Sequence, residues 1–145
     1  MSVGRICVRA VDTASDDESV QAAAQRMHAR NVGSLVVINK ACEPVGMVTD
    51  RDLTVRVLAD GLDAVQTRIS EVMTRHPKTV REETPIEEAL RLMRAGAFRR
   101  LPVVGQSGKL VGLVTLDDVL DLLTEEFREI RSILEQETPH ALAQP

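Results

Sequence analysis

Aromatic side chains are almost missing from this sequence. Phe98 and Phe127 are the only two, and its 145 residues include no Trp or Tyr. A core must therefore be built from Val, Leu, Ile, Ala and Met. A pocket for a flat ring would rely on aliphatic walls and backbone groups. The stacking platforms on which single-stranded nucleic acids lie are excluded by the same shortage. Positive charge is not in excess either: 18 Lys and Arg stand against 22 Asp and Glu, a net charge of −4. That balance argues against nucleic-acid binding driven by phosphate neutralisation. No apolar run approaches the roughly 20 residues that span a bilayer. Residues 1–15 lack the apolar centre of a signal peptide, so a cytoplasmic protein without a membrane role is expected. Cysteine is scarce, with Cys7 and Cys42 far apart and no C-x-x-C pair. Both are read as buried, inert thiols that act as small hydrophobes, with a disulfide between them left open.

Signs of catalysis are missing as well. The sequence has no nucleotide-hydrolysing P-loop and no nucleophile–base pair, so no enzyme is expected. His28, His76 and His140 show no metal-ligand spacing and are read as surface or linker histidines. Asp50-Arg51-Asp52 and Asp117-Asp118 place neighbouring carboxylates on diverging helical directions, so no dedicated metal site is expected.

What is present is an internal repeat, the first thing to seek in any sequence. Val45-Gly46-Met47-Val48-Thr49-Asp50-Arg51-Asp52 matches Val111-Gly112-Leu113-Val114-Thr115-Leu116-Asp117-Asp118 at a shift of 66 residues (46 to 112). Residues 9–56 slide onto 75–122 without a gap, pairing Ala23 with Ala89, Met27 with Met93, Leu35 with Leu101 and Val37 with Val103. Each copy opens with a short extended piece, Val11–Ala14 or Lys78–Val80. A helix follows, with apolar positions Val20, Ala23, Ala24, Met27 and Ile86, Ala89, Leu90, Met93 on one face. Thr84-Pro85-Ile86-Glu87 is a strong helix start and Glu18-Ser19-Val20-Gln21 a weaker one. Two strands of hairpin spacing come next, Leu35–Ile38 with Val45–Val48 and Leu101–Val104 with Val111–Val114, before a second helix.

This order predicts an α+β fold of two β-α-β-β-α repeats, packed through their sheets with pseudo-two-fold symmetry. One copy of about 60 residues buries too little surface to stand comfortably alone. The expected divisions are a first repeat at 1–60, a connector at 61–70, a second repeat at 71–126, and a C-terminal helix extension and tail at 127–145. The cleft between the copies is the natural ligand site.

In both copies the second hairpin strand ends in Gly-x-Val-Thr-x-x-Asp. Two readings compete. In the first, Thr49 and Thr115 cap a helix whose third position is Asp52 or Asp118, a capping box that also suits the helix dipole. In the second, Gly46 and Gly112 let something approach the backbone. The Thr hydroxyl and Asp carboxylate then hold a sugar diol through charge-assisted hydrogen bonds. The readings are compatible, because one carboxylate oxygen can cap while the other faces a ligand. An acidic helix start repels phosphate, so a phosphate must be held elsewhere.

These repeated motifs, with Arg99-Arg100-Leu101-Pro102-Val103-Val104 and Glu71-Val72-Met73-Thr74, resemble a tandem pair of cystathionine β-synthase-type (CBS) domains, a Bateman module of the stand-alone bacterial type. The resemblance covers about residues 5–125. It implies an adenosine ribose held by Thr115 and Asp118, or by Thr49 and Asp52. It implies adenine on the backbone at Thr79–Val80, or at Thr13–Ala14. It also implies that basic residues such as Arg99 and Arg100 reach a phosphate, a job that guanidinium forks suit. Their counterparts in the first copy are Gly33 and Ser34, so the two sites should be unequal. The implied ligand is AMP, ADP, ATP or another adenosyl compound such as S-adenosylmethionine or NAD, with magnesium as an accompanying ion.

The last helix carries Leu116, Leu120, Leu123, Phe127, Ile130 and Leu134 at alternating spacings of four and three. Its first turns cover the core of the second copy; the part beyond needs another partner. A homodimer is expected, with these helices adding to its interface, and Thr138–Pro145 as a frayed tail. The reading is a ligand sensor that signals to a separate regulated protein. Its rival is a ligand-independent homodimeric scaffold in which the Thr-x-x-Asp boxes are caps only.

Overall fold

The computed structural model describes residues 1–96 and 98–142, with side chains through residue 137. The first repeat runs β1 (Thr13–Ser15), α1 (Val20–Arg30), β2 (Ser34–Ile38), β3 (Pro44–Thr49) and α2 (Asp50–Leu53), the last continued by a π turn over Thr54–Leu58. A short α3 (Ile69–Val72) and β4 (Thr74–Arg75) lead into the second repeat: β5 (Val80–Arg81), α4 (Ile86–Gly96), β6 (Arg100–Val104), β7 (Leu110–Thr115) and α5 (Leu116–Leu142). The expected α+β order is therefore present in both copies.

The two copies agree down to their irregularities. β1 pairs parallel with β2 and β2 antiparallel with β3; β5, β6 and β7 repeat this pattern. The ladder shifts register between Val37 and Ile38 and again between Val103 and Val104, the same position in each copy. Leu35 and Val37 project into a core with Val20, Ala23, Met27 and Val48. Leu101 and Val103 do the same with Ala89, Met93 and Val114. Successive strand residues face opposite sides, so Val36 and Pro102 point away from these cores, yet both are fully buried. Each sheet is thus covered on both faces, by helix on one and with Val36 or Pro102 buried on the other.

Each sheet is completed by the segment that leads into the other repeat. Thr74 of β4 pairs with Met47 of β3. At the matching place Val8 pairs with Leu113, with Val8 N donating to Leu113 O and Leu113 N to Val8 O at 2.9 Å. Val3 belongs to the second core, with Ile6 and Cys7 packed on it, while Ile69, Val72 and Met73 belong to the first. Residues 69–70, inside the stretch read as connector, are therefore part of α3, and Ile69 belongs to the first core. The two hairpins also meet, Leu110 N donating to Cys42 O at 2.9 Å.

Three local expectations differ from the structure. Thr84 does not cap α4: its hydroxyl accepts from Arg81 N at 3.0 Å and closes the preceding turn. In the first repeat Glu18 Oε1 accepts from Ser15 N instead, and Ser19 caps α1 by accepting from Ala22 N at 3.1 Å. The second helix of the first repeat is short and becomes a π turn, with Ala59 N bonded to Thr54 O. The tail expected from Thr138 is helical through Leu142, and residues 143–145 lie outside the described residues.

Candidate functional site

Both Thr-x-x-Asp motifs form complete capping boxes. Asp52 Oδ2 accepts from Thr49 N at 2.9 Å, and Thr49 Oγ1 accepts from Asp52 N at 3.2 Å. Asp118 and Thr115 repeat this at 2.8 and 3.2 Å. In each box one carboxylate oxygen is committed to the backbone and the other is not. Asp52 Oδ1 makes only a long ion pair, 3.9 Å from Arg56 Nε and beyond hydrogen-bond range. Among the described residues no hydrogen bond reaches Asp118 Oδ1. Each motif therefore caps its helix and keeps an acceptor in reserve.

The first motif opens onto a cleft between the repeats. Its walls are Met47, Thr49 and Asp52 from the first repeat, Thr74, Pro77 and Lys78 from the segment joining the repeats, and Phe98, Arg99 and Arg100 from the second. The cavity holds about 210 Å³. Arg99 and Arg100 also line an adjoining cavity of about 240 Å³ with Thr115, Leu116 and Asp117. The arginine pair thus stands between the two motifs. The first cleft brings together a carboxylate and a hydroxyl, from Asp52 and Thr49, and three cations, Lys78, Arg99 and Arg100. That combination suits a molecule with a diol at one end and an anion at the other.

The pseudo-symmetric cleft has a different charge. Asp12 replaces Lys78, and Gly33 and Ser34 replace Arg99 and Arg100. Beside Gly33 sits Asp50, whose carboxylate oxygen would lie 3.1 Å from a β-carbon placed there; its counterpart in the second copy is Leu116. Asp12 is paired with Arg30, Nε to Oδ1 at 2.8 Å. Where the first cleft has three cations, the matching positions thus hold one acid, a glycine and a serine, with the acid Asp50 beside the glycine.

Other residues singled out from the sequence fall elsewhere. Gly46 and Gly112 are buried beneath the protein's own chain rather than open to a ligand. A β-carbon on Gly46 would lie 3.0 Å from Thr74 O, and one on Gly112 2.8 Å from Cys7 Sγ and 3.1 Å from Val8 O. Glycine is needed there because the incoming strand of the other repeat passes at that height. Val80 is a core residue of β5, paired with Val103, and Thr79 is exposed next to Lys78. Thr13 and Ala14 line a separate broad depression of about 840 Å³ beside α1, where Thr13 O already accepts from Arg26 Nη1 at 2.9 Å. The cysteines also differ from expectation. Cys42 is exposed and Cys7 half-buried, both are free thiols, and burial pushes the Cys7 thiol above its ordinary pKa.

Sequence reasoning missed Met47, Pro77, Lys78 and Phe98. Lys78 was discoverable, since the repeat aligns it with an acid of opposite sign. Phe98 supplies an aromatic wall where only aliphatic ones were expected.

Known proteins share this arrangement. The family model for the CBS domain matches residues 3–59 and 69–125. An uncharacterised Methanopyrus kandleri protein, MK0525, is 36% identical over 122 residues, 84% of this chain; the chain spans 62% of that relative's length. Among solved structures, the CBS-pair protein CBSX2 of Arabidopsis thaliana superimposes with a TM-score of 0.77 at 30% identity, covering 88% of this chain and 96% of CBSX2. CBSX2 has also been solved in complex with AMP. The CBS pair of protein MJ0100, in complex with 5-methylthioadenosine and S-adenosyl-L-methionine, superimposes with a TM-score of 0.76 at 26% identity, over 87% of this chain and 98% of that one. With both repeats matched across nearly their whole length, the chain belongs to the CBS-domain family and carries two of its domains in tandem.

Proposed function

We propose that this chain is a non-catalytic sensor module that binds a phosphate-bearing adenosine ligand in the cleft of Thr49, Asp52, Lys78, Arg99 and Arg100. The observation that carries the reading is the meeting of ribose-type acceptors from one repeat and cations from the other in a single cleft. The ribose diol donates to the uncommitted Asp52 oxygen, while Lys78 and the two guanidinium forks take the phosphate. Phe98 forms an apolar wall for the base. The AMP complex of CBSX2 supports the ligand class. The MJ0100 ligands extend it to adenosyl compounds without phosphate, which would suit the second cleft, with Thr115 and Asp118 at its sugar end, better than the first.

Because residues of both repeats grip one ligand, binding fixes their relative pose. It shifts the equilibrium by the difference in affinity for the two poses and no more. The shift is read by a regulated protein or by a further segment of a longer polypeptide.

Thermal melting and calorimetry with AMP, ATP and S-adenosylmethionine, with and without magnesium, test this. A ligand of the native state raises the melting temperature by mass action. Asp52→Asn keeps an oxygen for the Thr49 amide and turns the second acceptor into a donor. It should abolish the AMP response with little change in the ligand-free melt, and Arg99→Ala with Arg100→Ala should abolish it too. Asp118→Asn should leave it in place. No shift with any of these ligands at millimolar concentration would leave the scaffold reading, in which both boxes are caps only.

A further inference from the structure

The two Thr-x-x-Asp carboxylates differ in one neighbour. Arg56 lies one helical turn after Asp52, whereas the residue one turn after Asp118 is Leu122. Arg56 does not line the cleft. Its Nε stands 3.9 Å from Asp52 Oδ1, the oxygen that the capping box leaves free. Its Nη1 donates to Val72 O at 2.7 Å. Val72 ends α3, so its carbonyl has no donor within that helix. The counterpart of Val72 is Ile6, packed against the second core, where Leu122 has nothing to donate. The first motif therefore has a cation fixed beside its carboxylate, and the second has an aliphatic side chain at that place.

We infer that Arg56 is a positioning residue for the ligand: it keeps the free oxygen of Asp52 charged and open while a ribose covers it. The inference rests on the reading that the cleft takes an adenosine phosphate. A carboxylate under a sugar loses the water that solvates its charge, and burial favours the neutral form. A protonated carboxyl gives up acceptor capacity that a vicinal diol needs. Lys78, Arg99 and Arg100 face the same cleft, but a bound phosphate neutralises them. On the helix of Asp52 itself, Asp50 and Arg51 carry opposite charges. Arg56 supplies the balancing charge from outside the cleft. The tether to Val72 O matters as much. An arginine free to close on Oδ1 would take the lone pairs that the hydroxyls require. Held at 3.9 Å, the guanidinium is near enough to act as a charge and too far to act as a donor. Asp118 has no such support, so the same ribose contact is weaker at the second motif.

NMR titration of the full chain with AMP and with 2′,3′-dideoxy-AMP, which lacks the diol, tests it. Arg56→Leu, the second repeat's choice, should weaken AMP about fivefold, the upper end for a partly exposed ion pair, and change 2′,3′-dideoxy-AMP by less than about twofold. A role in folding alone would weaken both ligands alike. Arg56→Gln can still donate to Val72 O but carries no charge. It should behave like Arg56→Leu, and it serves if loss of the tether disturbs the fold. Unchanged AMP affinity in either variant would overturn the inference, as would equal losses for the two ligands, and both results would leave the cleft reading in place. No AMP binding by the unaltered chain would overturn the two together.

Discussion

A glycine in a repeated motif invites a ligand only if nothing else fills the space. Gly46 and Gly112 lie under backbone of the other repeat: a β-carbon on them would stand 3.0 and 3.1 Å from carbonyl oxygens. The sequence signals that a close approach occurs but not what makes it, since the approaching strand lies many residues away. Gly112→Ala should therefore cost stability rather than affinity, by about 1–3 kcal/mol through overpacking, read from urea unfolding. Because Cys7 Sγ is the nearest obstacle, Gly112→Ala combined with Cys7→Ala should cost less than the sum of the single changes. Equal additivity would show that Cys7 is not what the new methyl meets. The thiols make a second test at this scale. Cys42 sits exposed at φ 61 in its turn, whereas Cys7 is half-buried with its pKa raised by desolvation. The thiolate is the reactive form, so Cys42 should react with a disulfide reagent in native protein well before Cys7. Simultaneous labelling would contradict the packing of the N-terminal segment.

Elements were legible where periodicity and repetition agreed. The hairpin strands over Leu35–Ile38 and Leu101–Val104 extend by one residue at the start, as Ser34–Ile38 and Arg100–Val104. Alternating burial and two aligned copies leave little freedom there. Helix entrances were less legible, because the same hydroxyl can cap forwards or close the turn behind it. Thr84 does the latter, although Thr-Pro-x-Glu is the stronger start on paper; Ser19 does the former. Ser19→Ala should then lower stability by about 1 kcal/mol, the usual loss for a removed N-cap, with helix content followed by circular dichroism. A neutral substitution would mean that α1 is held by its buried face alone. The π turn at Thr54–Leu58 had no signal in the sequence. It arises because the chain must fold back over Val57, a tertiary demand that no local pattern records.

At the scale of the molecule the decisive feature is the exchange of lead-in segments between repeats. The sequence divides near residue 66, but the packing does not. Every member of the first core lies between Ala14 and Met73, and β4 closes the first sheet. The second core takes in Val3. The cleft inherits this arrangement, since Thr74 belongs to the first sheet while Lys78, four residues on, precedes the second. A ligand bound there bears on the strand by which one repeat is tied to the other, a route for the ligand's pull to reach both cores. The same logic separates two fragments of nearly equal length. A peptide of residues 9–75 contains the whole first core and its fourth strand. One of residues 1–66 lacks Ile69, Val72, Met73 and β4, and carries Val3 and Ile6 with nothing to cover. Both are small enough to be marginal, so complete closure of the core decides between them. Residues 9–75 should show the higher helix signal and a cooperative thermal transition, and residues 1–66 a weak, sloping one. An equal or sharper transition for 1–66 would mean that the exchanged segments merely drape over sheets that fold without them.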